Sequence, residues 1–403
     1  MSLRTYVGEH LVSPVPLHLD LDMCSNGCWW CFANLNNPQR LADYRPLKAA
    51  INSHLHRLPP GQSLVKLFLQ QGHPILVSNT SDPFAASTWP KFEPFWHTCQ
   101  EAGIPICIQT RGGKAALATI ASARPTMVYV SLTSDREDLL RRNEPGAPGF
   151  GQRLELIQAA RDAGHFVVVG LNPFYLPWWH DPASLVRTLA DGSFRHVWFG
   201  LLHLNRFQVA NLSPRRRERE AKAIAYARKS DKPDRQALQA VLDELDQAGI
   251  NVFLGHHSRR GGFWEPYFRL GYPFAPTLEG FLDHLREAGQ GQPVAFGFDY
   301  FERWANPAPA YRGSACKDYL NGMGRSIRNT GQPAQAKSFR EVYAWYWRVL
   351  DFPSPLEHDD FYLASEGPQT IVADGQGRDV MIYAPGHGPG LSLPLSLAGV
   401  QLH

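Results

Sequence analysis

LDMCSNGCWWCF, residues 21–32, places three of the chain's six cysteines within eight positions. Cys24, Cys28 and Cys31 follow a C-x3-C-x2-C spacing, and the run before them, LHLDLDM at 17–23, alternates apolar and polar residues as a strand does. The cysteines therefore sit on the loop leaving that strand. Thiolates are the ligands that iron–sulfur clusters use, and a [4Fe–4S] cube ordinarily takes four. Only three are grouped here. Cys99, Cys107 and Cys316 are scattered and none belongs to a C-x2-C pair, so one iron of a cube would be left open. Two other readings stand beside this one. A structural zinc site wants four closed ligands, and His18 would have to complete it from within the strand. Alternatively the three cysteines are simply buried.

The rest of the composition frames that loop. With 403 residues and 44% hydrophobic content, the chain can bury a large core in one big domain with an appendage, or in two domains. A net charge of +3 provides no global basic field of the kind that non-specific nucleic-acid binders carry. No apolar run approaches the roughly 18–20 residues a membrane span needs, and MSLRTYVGEHLVSP lacks the apolar core of a signal peptide. The expected location is cytoplasmic, with no membrane partner. In that reducing compartment six cysteines do not make a disulfide framework, so metal or redox chemistry is the better reading of the cluster.

Downstream, strand and helix patterns alternate. RPLKAAINSHLHRL (45–58) has helical spacing, and HPILVSNTSDPF (73–84) is a strand running into a polar turn. WPKFEPFWHTCQEAG (89–103) is a helix with a glycine stop, followed by the strand IPICIQTRGG (104–113). The pattern continues as helix 113–123, strand 126–134, helix 149–164, strand 165–174, helix 181–192 and strand 195–204. Six strands alternating with helices imply a parallel sheet with functional residues at the C-terminal strand ends. The expected fold class is α/β, a partial (β/α)6 barrel with a C-terminal α+β extension. The expected division is a core barrel over 1–210, further helices and a strand completing or flanking it over 211–304, and the extension over 305–403.

The cysteine loop after the first strand, with the aromatic Phe32 behind the last cysteine, resembles the radical S-adenosylmethionine superfamily. Three further segments are similar to the branch of that superfamily formed by spore photoproduct lyase and its relatives: NTSDPF (79–84), TRGG (110–113) and the long stretch VSLTSDREDLLRRNEPGAPGFGQRLELIQAARDAG (130–164). The resemblance implies a [4Fe–4S] cluster on Cys24, Cys28 and Cys31, whose open iron binds S-adenosylmethionine, and one-electron cleavage of that cofactor to a 5′-deoxyadenosyl radical. It also implies an external electron donor such as flavodoxin or ferredoxin. Carried over by position, Phe32 follows the cluster, Ser81 and Asp82 lie beside the methionyl end of the cofactor, Arg111 faces its carboxylate and Ser131 approaches the ribose. A guanidinium grips a carboxylate well, and a strand-end hydroxyl can bond a sugar. TSDP is equally an ordinary turn sequence, and Arg111 before two glycines is equally a solvated loop arginine.

The chain departs from the lyases where they return a hydrogen atom to product. Asn79 stands where they carry a cysteine, and Trp30 and Phe32 stand where they place tyrosines. This pattern favours a redox-neutral isomerisation or rearrangement, and kinship suggests a thymine-derived base in DNA as substrate. A free small molecule or peptide is the alternative, as are lyase-type repair and an inactive barrel scaffold. A base flipped from DNA would find Trp178, Trp179 or Trp264 for stacking, and Arg215–Arg217 or Arg259 and Arg260 for phosphates. The bland readings are core tryptophans and solvated arginines. SPRRREREAKAIAYARKS (213–230) reads as one basic helix capped by Ser213 with Pro214 at its first position. His203 and His256 follow strand ends and are the candidate acid–base residues. KSFREVYAWYWRVLDF (337–352) reads as a core helix and QTIVADGQGRDVMIYAPG (369–386) as a hairpin.

Overall fold

A computed structural model of the chain describes residues 2–5, 15, 17–21, 24–31, 68–77, 81–202, 204, 206–228, 235–254, 267, 269–273, 278–305, 369–373, 379–383 and 401–402. In chain order the main sheet comprises β1 (Ser2–Thr5), β2 (Leu17–Asp20) and β3 (Ile75–Val77). After helix α1 (Trp89–Glu101) come β4 (Ile106–Thr110), α2 (Lys114–Ala121) and β5 (Met127–Ser131). Two helices, α3 (Glu137–Asn143) and α4 (Phe150–Asp162), then precede β6 (Phe166–Phe174), α5 (Pro182–Asp191) and β7 (His196–Leu201). The short helices α6 (Arg206–Asn211), α7 (Pro214–Arg219) and α8 (Ala221–Ala227) follow, then α9 (Arg235–Gln247) and β8 (Asn251–Leu254).

The strands line up in sequence order, β1 to β8, and the sheet does not close. β2 to β8 are seven parallel strands, and β1 adds antiparallel to β2 at one edge. This is the open α/β sheet expected of a partial barrel, longer by β8 than the six strands counted from the barrel segment alone. Period-two alternation sorts the side chains onto two faces. Ile75, Val77, Ile106, Ile108, Val128, Val130, Val169, Leu171, Val197 and Phe199 share one core with residues of the flanking helices. Leu76, Cys107, Met127, Tyr129, Val168, Trp198 and Phe253 form a second core on the other face. Burial on both faces is why these strands read as nearly unbroken apolar runs.

Gly103 (φ +69°) and Gly164 (φ +81°) turn the chain after α1 and α4 in the left-handed region that glycine adopts without penalty. β4 then begins three residues after Gly103, and β6 two residues after Gly164.

A second sheet has the order β10-β11-β9-β12. β9 (Val294–Gly297) follows α10 (Leu278–Gly289) and precedes α11 (Phe298–Ala305). β10 (Gln369–Ala373) and β11 (Asp379–Tyr383) form the expected antiparallel hairpin, and β12 (Gln401–Leu402) pairs parallel to β9. Its pairing therefore joins residues on both sides of position 304.

The basic segment at 213–230 is not one helix. Ser213 caps α7 as expected, its hydroxyl accepting from the Arg216 N–H at 3.2 Å, but the helix breaks at Glu220, which is buried. The break turns that carboxylate inward among arginines: Arg219 Nε at 2.9 Å, and Arg142 Nη2 and Arg216 Nη1 each at 3.7 Å.

Candidate functional site

Strand ends on the C-terminal side of the sheet build the site. The cysteine loop leaves β2 and is clamped by the loops after β3 and α3. Ser25 Oγ accepts from the Ser87 N–H at 3.2 Å, and the Asn26 side-chain amide donates to Asp82 Oδ2 at 3.0 Å. The Asn26 carbonyl accepts from Gly146 N–H at 3.0 Å, and Trp29 N–H donates to the Asn143 carbonyl at 3.3 Å. Gly27 takes φ +66°, and the Cys31 N–H closes a turn on the Cys28 carbonyl at 3.2 Å. Gly146 has no alternative in this packing, because a Cβ there would lie 2.0 Å from the Ser25 carbonyl oxygen. Gly146→Ala should displace the loop backbone and lower iron loading several-fold, with an overpacking cost of about 1–3 kcal/mol. Gly151→Ala in α4, where a Cβ meets nothing within 4 Å, should instead leave loading intact and stabilise the helix by about 0.5–1 kcal/mol. Iron content and urea midpoints of the two variants check the contrast.

Asp82 is the hub of this corner. Its Oδ1 accepts from Phe84 N–H at 3.0 Å and Thr110 Oγ1 at 2.7 Å, and its Oδ2 from Asn26 and from Arg111 N–H at 2.7 Å. Four protein donors fill the usual acceptor capacity of a carboxylate. Asp82 therefore ties the cysteine loop to the ends of β3 and β4. Ser81 is buried beside it.

Arg111 enters the same corner through its side chain. Its Nε lies 3.2 Å from Glu144 Oε2, an ion pair without the alignment of a hydrogen bond. Burial works against the guanidinium's charge, but Cys28, Glu144, Asp82 and Cys24 outweigh it and hold its pKa well above the usual arginine value. Arg111 is thus a partly buried site cation, not a solvated loop arginine.

Glu144 is fully enclosed. It accepts from Thr133 Oγ1 at 2.7 Å and pairs with Arg153, whose guanidinium also donates to the Ser131 carbonyl at 3.0 Å and the Pro148 carbonyl at 2.9 Å. Burial would raise the Glu144 pKa; Arg153, Arg111 and the Thr133 hydroxyl bring it down to about 2. No local pattern in the 130–164 segment marks Glu144 and Arg153, because their contacts form only when α4 packs against the end of β5.

Ser131 stands at the end of β5, its hydroxyl donating to the Asn172 carbonyl at 3.1 Å. Below it on the same strand, the buried Tyr129 phenol bonds the side chains of Ser131 and Asn172, and burial raises its pKa. Gly170 makes room for that ring, since a Cβ there would overlap it at 1.9 Å. Sequence reading missed this phenol because strand periodicity marks position 129 only as core.

The structure thus ties the loop carrying Cys24, Cys28 and Cys31 to Asp82, which bonds the Arg111 backbone, and links Ser131 to Arg111 through Arg153 and Glu144. Phe32, Asn79, His203, His256, Trp264, Arg259, Arg260 and Cys316 lie outside the described residues. Trp178 and Trp179 are available to no stacked base in this arrangement. They are 3% and 5% exposed, with Trp178 packed on Trp29 and Trp30 and Trp179 on Phe174. Arg216 faces Glu220, which removes it from the phosphate contacts read for Arg215–Arg217.

The donor set suits the cluster. Cys24 and Cys31 are half-buried and Cys28 is buried. Burial pushes the Cys28 thiol well up, Arg111 pulls it down, and Glu144, Cys31 and Cys24 push it up again. The buried Cys28 thiol thus resists ionisation unless a metal takes it. Among the described residues no three His, Cys, Asp or Glu side chains meet at one point as a single ion requires. A cube asks for something else, one thiolate for each of several irons.

The family profile described as the Radical SAM superfamily matches residues 21–189. Spore photoproduct lyase complexed with dinucleoside spore photoproduct is similar at 12% identity and TM-score 0.43, over 63% of this chain and 78% of that one. Streptococcus suis SuiB bound to S-adenosylmethionine is similar at 12% identity and TM-score 0.37, over 62% of this chain and 49% of that one. No curated protein sequence matches the chain. Among the described residues no helix is long and apolar enough to cross a membrane. The enzymes of this family use a [4Fe–4S] cluster with S-adenosylmethionine and need an electron donor, and the segment 21–189, which carries the cysteine loop on the first parallel strand, is similar to the radical SAM superfamily.

Proposed function

We propose that the protein is a radical SAM enzyme that abstracts hydrogen from a thymine-derived base in DNA and carries it through an isomerisation or rearrangement. The observation that carries the enzymatic part is the clamped loop of Cys24, Cys28 and Cys31 facing Arg111. When bound, the cluster supplies the electron that cleaves S-adenosylmethionine to methionine and a 5′-deoxyadenosyl radical. The chain's own residues hold and orient. The three cysteines hold the cluster, and Asp82 fixes the loop against β3 and β4. Arg111, kept charged and anchored by Glu144, presents the guanidinium for the methionyl carboxylate, while the Ser131 hydroxyl sits at the strand end for the ribose. His203 and His256 are assigned acid–base roles from their strand-end positions in the sequence. Arg111→Ala should weaken S-adenosylmethionine binding by about 1–3 kcal/mol, as measured by calorimetry on reconstituted protein. Unchanged binding would return Arg111 to a structural role.

Support for the thymine base is the resemblance of segments 79–84 and 130–164 to the lyase branch. Support for rearrangement is the trio Asn79, Trp30 and Phe32, none of which offers a thiol or a phenol. Tyr129 favours a second reading, in which an enzyme group returns the hydrogen, since its phenol lies beside Ser131. One labelled substrate separates these. Reduced enzyme is incubated with modified-thymine DNA deuterated at the exocyclic carbon. Rearrangement with internal return keeps deuterium in the product, whereas return through Tyr129 exchanges it with solvent and is abolished in Tyr129→Phe. No turnover on any nucleic acid, alongside turnover of a free amino acid or peptide, would end the DNA reading.

A further inference from the structure

Outside the site, a basic surface abuts the cysteine loop. Arg141 and Arg142 are exposed in the last turn of α3, and Arg215, Arg217 and Arg219 are exposed on α7. The buried Glu220 joins the two helices through its ion pairs to Arg142 and Arg219, so the patch is a built surface with fixed arginines. Asn143, directly after Arg142, accepts the hydrogen bond from Trp29, directly after Cys28. One residue on each side separates the patch from a cluster ligand.

A line of packed aromatic rings runs along the same flank. Trp29 and Trp30 lie 5.6 Å apart between centroids, and Trp30 and Trp178 4.7 Å. Trp178 and Tyr175 follow at 5.4 Å, and Tyr175 and Tyr226 at 4.8 Å. Tyr226 belongs to α8, which continues directly from α7. Trp29 and Trp30 flank Cys28 and Cys31 in sequence, so the rings lead from the basic helices to the ligand loop without a gap.

We propose that this surface docks an acidic one-electron carrier protein that reduces the cluster, with the rings from Tyr226 to Trp30 as the medium between them. The proposal rests on the cluster reading and is independent of the substrate. Its balance is simple: the carrier loses one electron, the cluster gains it, and no bond or proton moves. Charge complementarity selects the partner, because opposite patches steer encounter and orient a transient complex. Position selects it over DNA. The patch abuts the cysteine loop through the Trp29–Asn143 bond, and the packed rings run from it to that loop, a feature that phosphate binding does not call for.

The test uses reconstituted protein carrying Arg141→Glu, Arg215→Glu and Arg217→Glu together, with flavodoxin as the probe. Wild-type affinity for flavodoxin should fall roughly tenfold between about 50 and 200 mM salt, and the triple variant should bind roughly tenfold more weakly at low salt. Reduction of the cluster by flavodoxin hydroquinone, followed by its absorbance, should slow in proportion at subsaturating carrier. Iron content and reduction by dithionite should not change. A variant that binds flavodoxin and accepts its electron like wild type overturns the proposal, as does one that loses affinity for a DNA duplex while keeping flavodoxin. If the wild-type protein takes up no iron and sulfide on reconstitution, the cluster reading itself falls.

Discussion

Cys24→Ala/Cys28→Ala/Cys31→Ala protein should take up essentially no iron or sulfide on anaerobic reconstitution, against about four of each per chain in the wild type. The variant should remain folded, because the loop is held by contacts that do not involve sulfur: Asn26 to Asp82, Trp29 to Asn143 and Gly146 to Asn26. Circular dichroism and the urea midpoint should stay close to wild type, because those contacts remain. Zinc in place of iron in the wild-type preparation, or iron retained by the triple variant, would refute the ligand assignment. Single variants should each lose most of the cluster, since two thiolates leave two irons of a cube without protein ligands.

Glu144→Ala should lower stability by about 3–5 kcal/mol, the cost of leaving a buried charge without its partner. The stranded group is Arg153, which is fully buried and keeps only its carbonyl contacts to Ser131 and Pro148. Chemical denaturation measures this directly, and Arg153→Ala should be comparably damaging. The same pair fixes an acid limit. The Glu144 pKa falls from its ordinary 4.5 to about 2 on folding. A carboxyl depressed in the folded state adds stability above its unfolded pKa, and that contribution fades as pH falls through the folded value. The loss should therefore develop between about pH 4.5 and 2, and it should amount to about 3 kcal/mol at roughly 1.36 kcal/mol per unit. In Glu144→Ala this part of the acid dependence should be missing. Because Glu144 also anchors Arg111, the variant should bind S-adenosylmethionine more weakly even where it is folded.

Much of this architecture was legible in the sequence, and the reasons are local. A parallel strand is a short apolar run, and the helix before it ends at a glycine such as Gly103 or Gly164, so strand and helix can be counted along the chain. Three cysteines in eight residues likewise declare themselves without tertiary information. What escaped is long-range. Asp82 reads as a turn residue, yet its partners Asn26 and Thr110 lie 56 and 28 positions away. Glu144 and Arg153 are only nine apart but meet across the α3–α4 connection, where no periodicity marks them. Glu220 sits in a run of helix-forming charges, and only the arginine of α3 shows why the helix must break there. The four-residue β1 exists because β2 offers an open edge, which no local pattern records. For Trp178 a strand-end loop position fits both stacking on a base and core packing, and its contacts with Trp29 and Trp30 give the core reading.

The central claim is that this loop holds a working cluster beside a bound S-adenosylmethionine. Anaerobically reconstituted protein, reduced with dithionite and mixed with S-adenosylmethionine, should release 5′-deoxyadenosine and methionine, detectable by chromatography with or without substrate and absent in the triple cysteine variant. Recovery of intact S-adenosylmethionine alone, from protein whose iron and sulfide are fully loaded and whose cluster is reduced, across several reductants and candidate substrates, would contradict the account and leave a barrel without the chemistry.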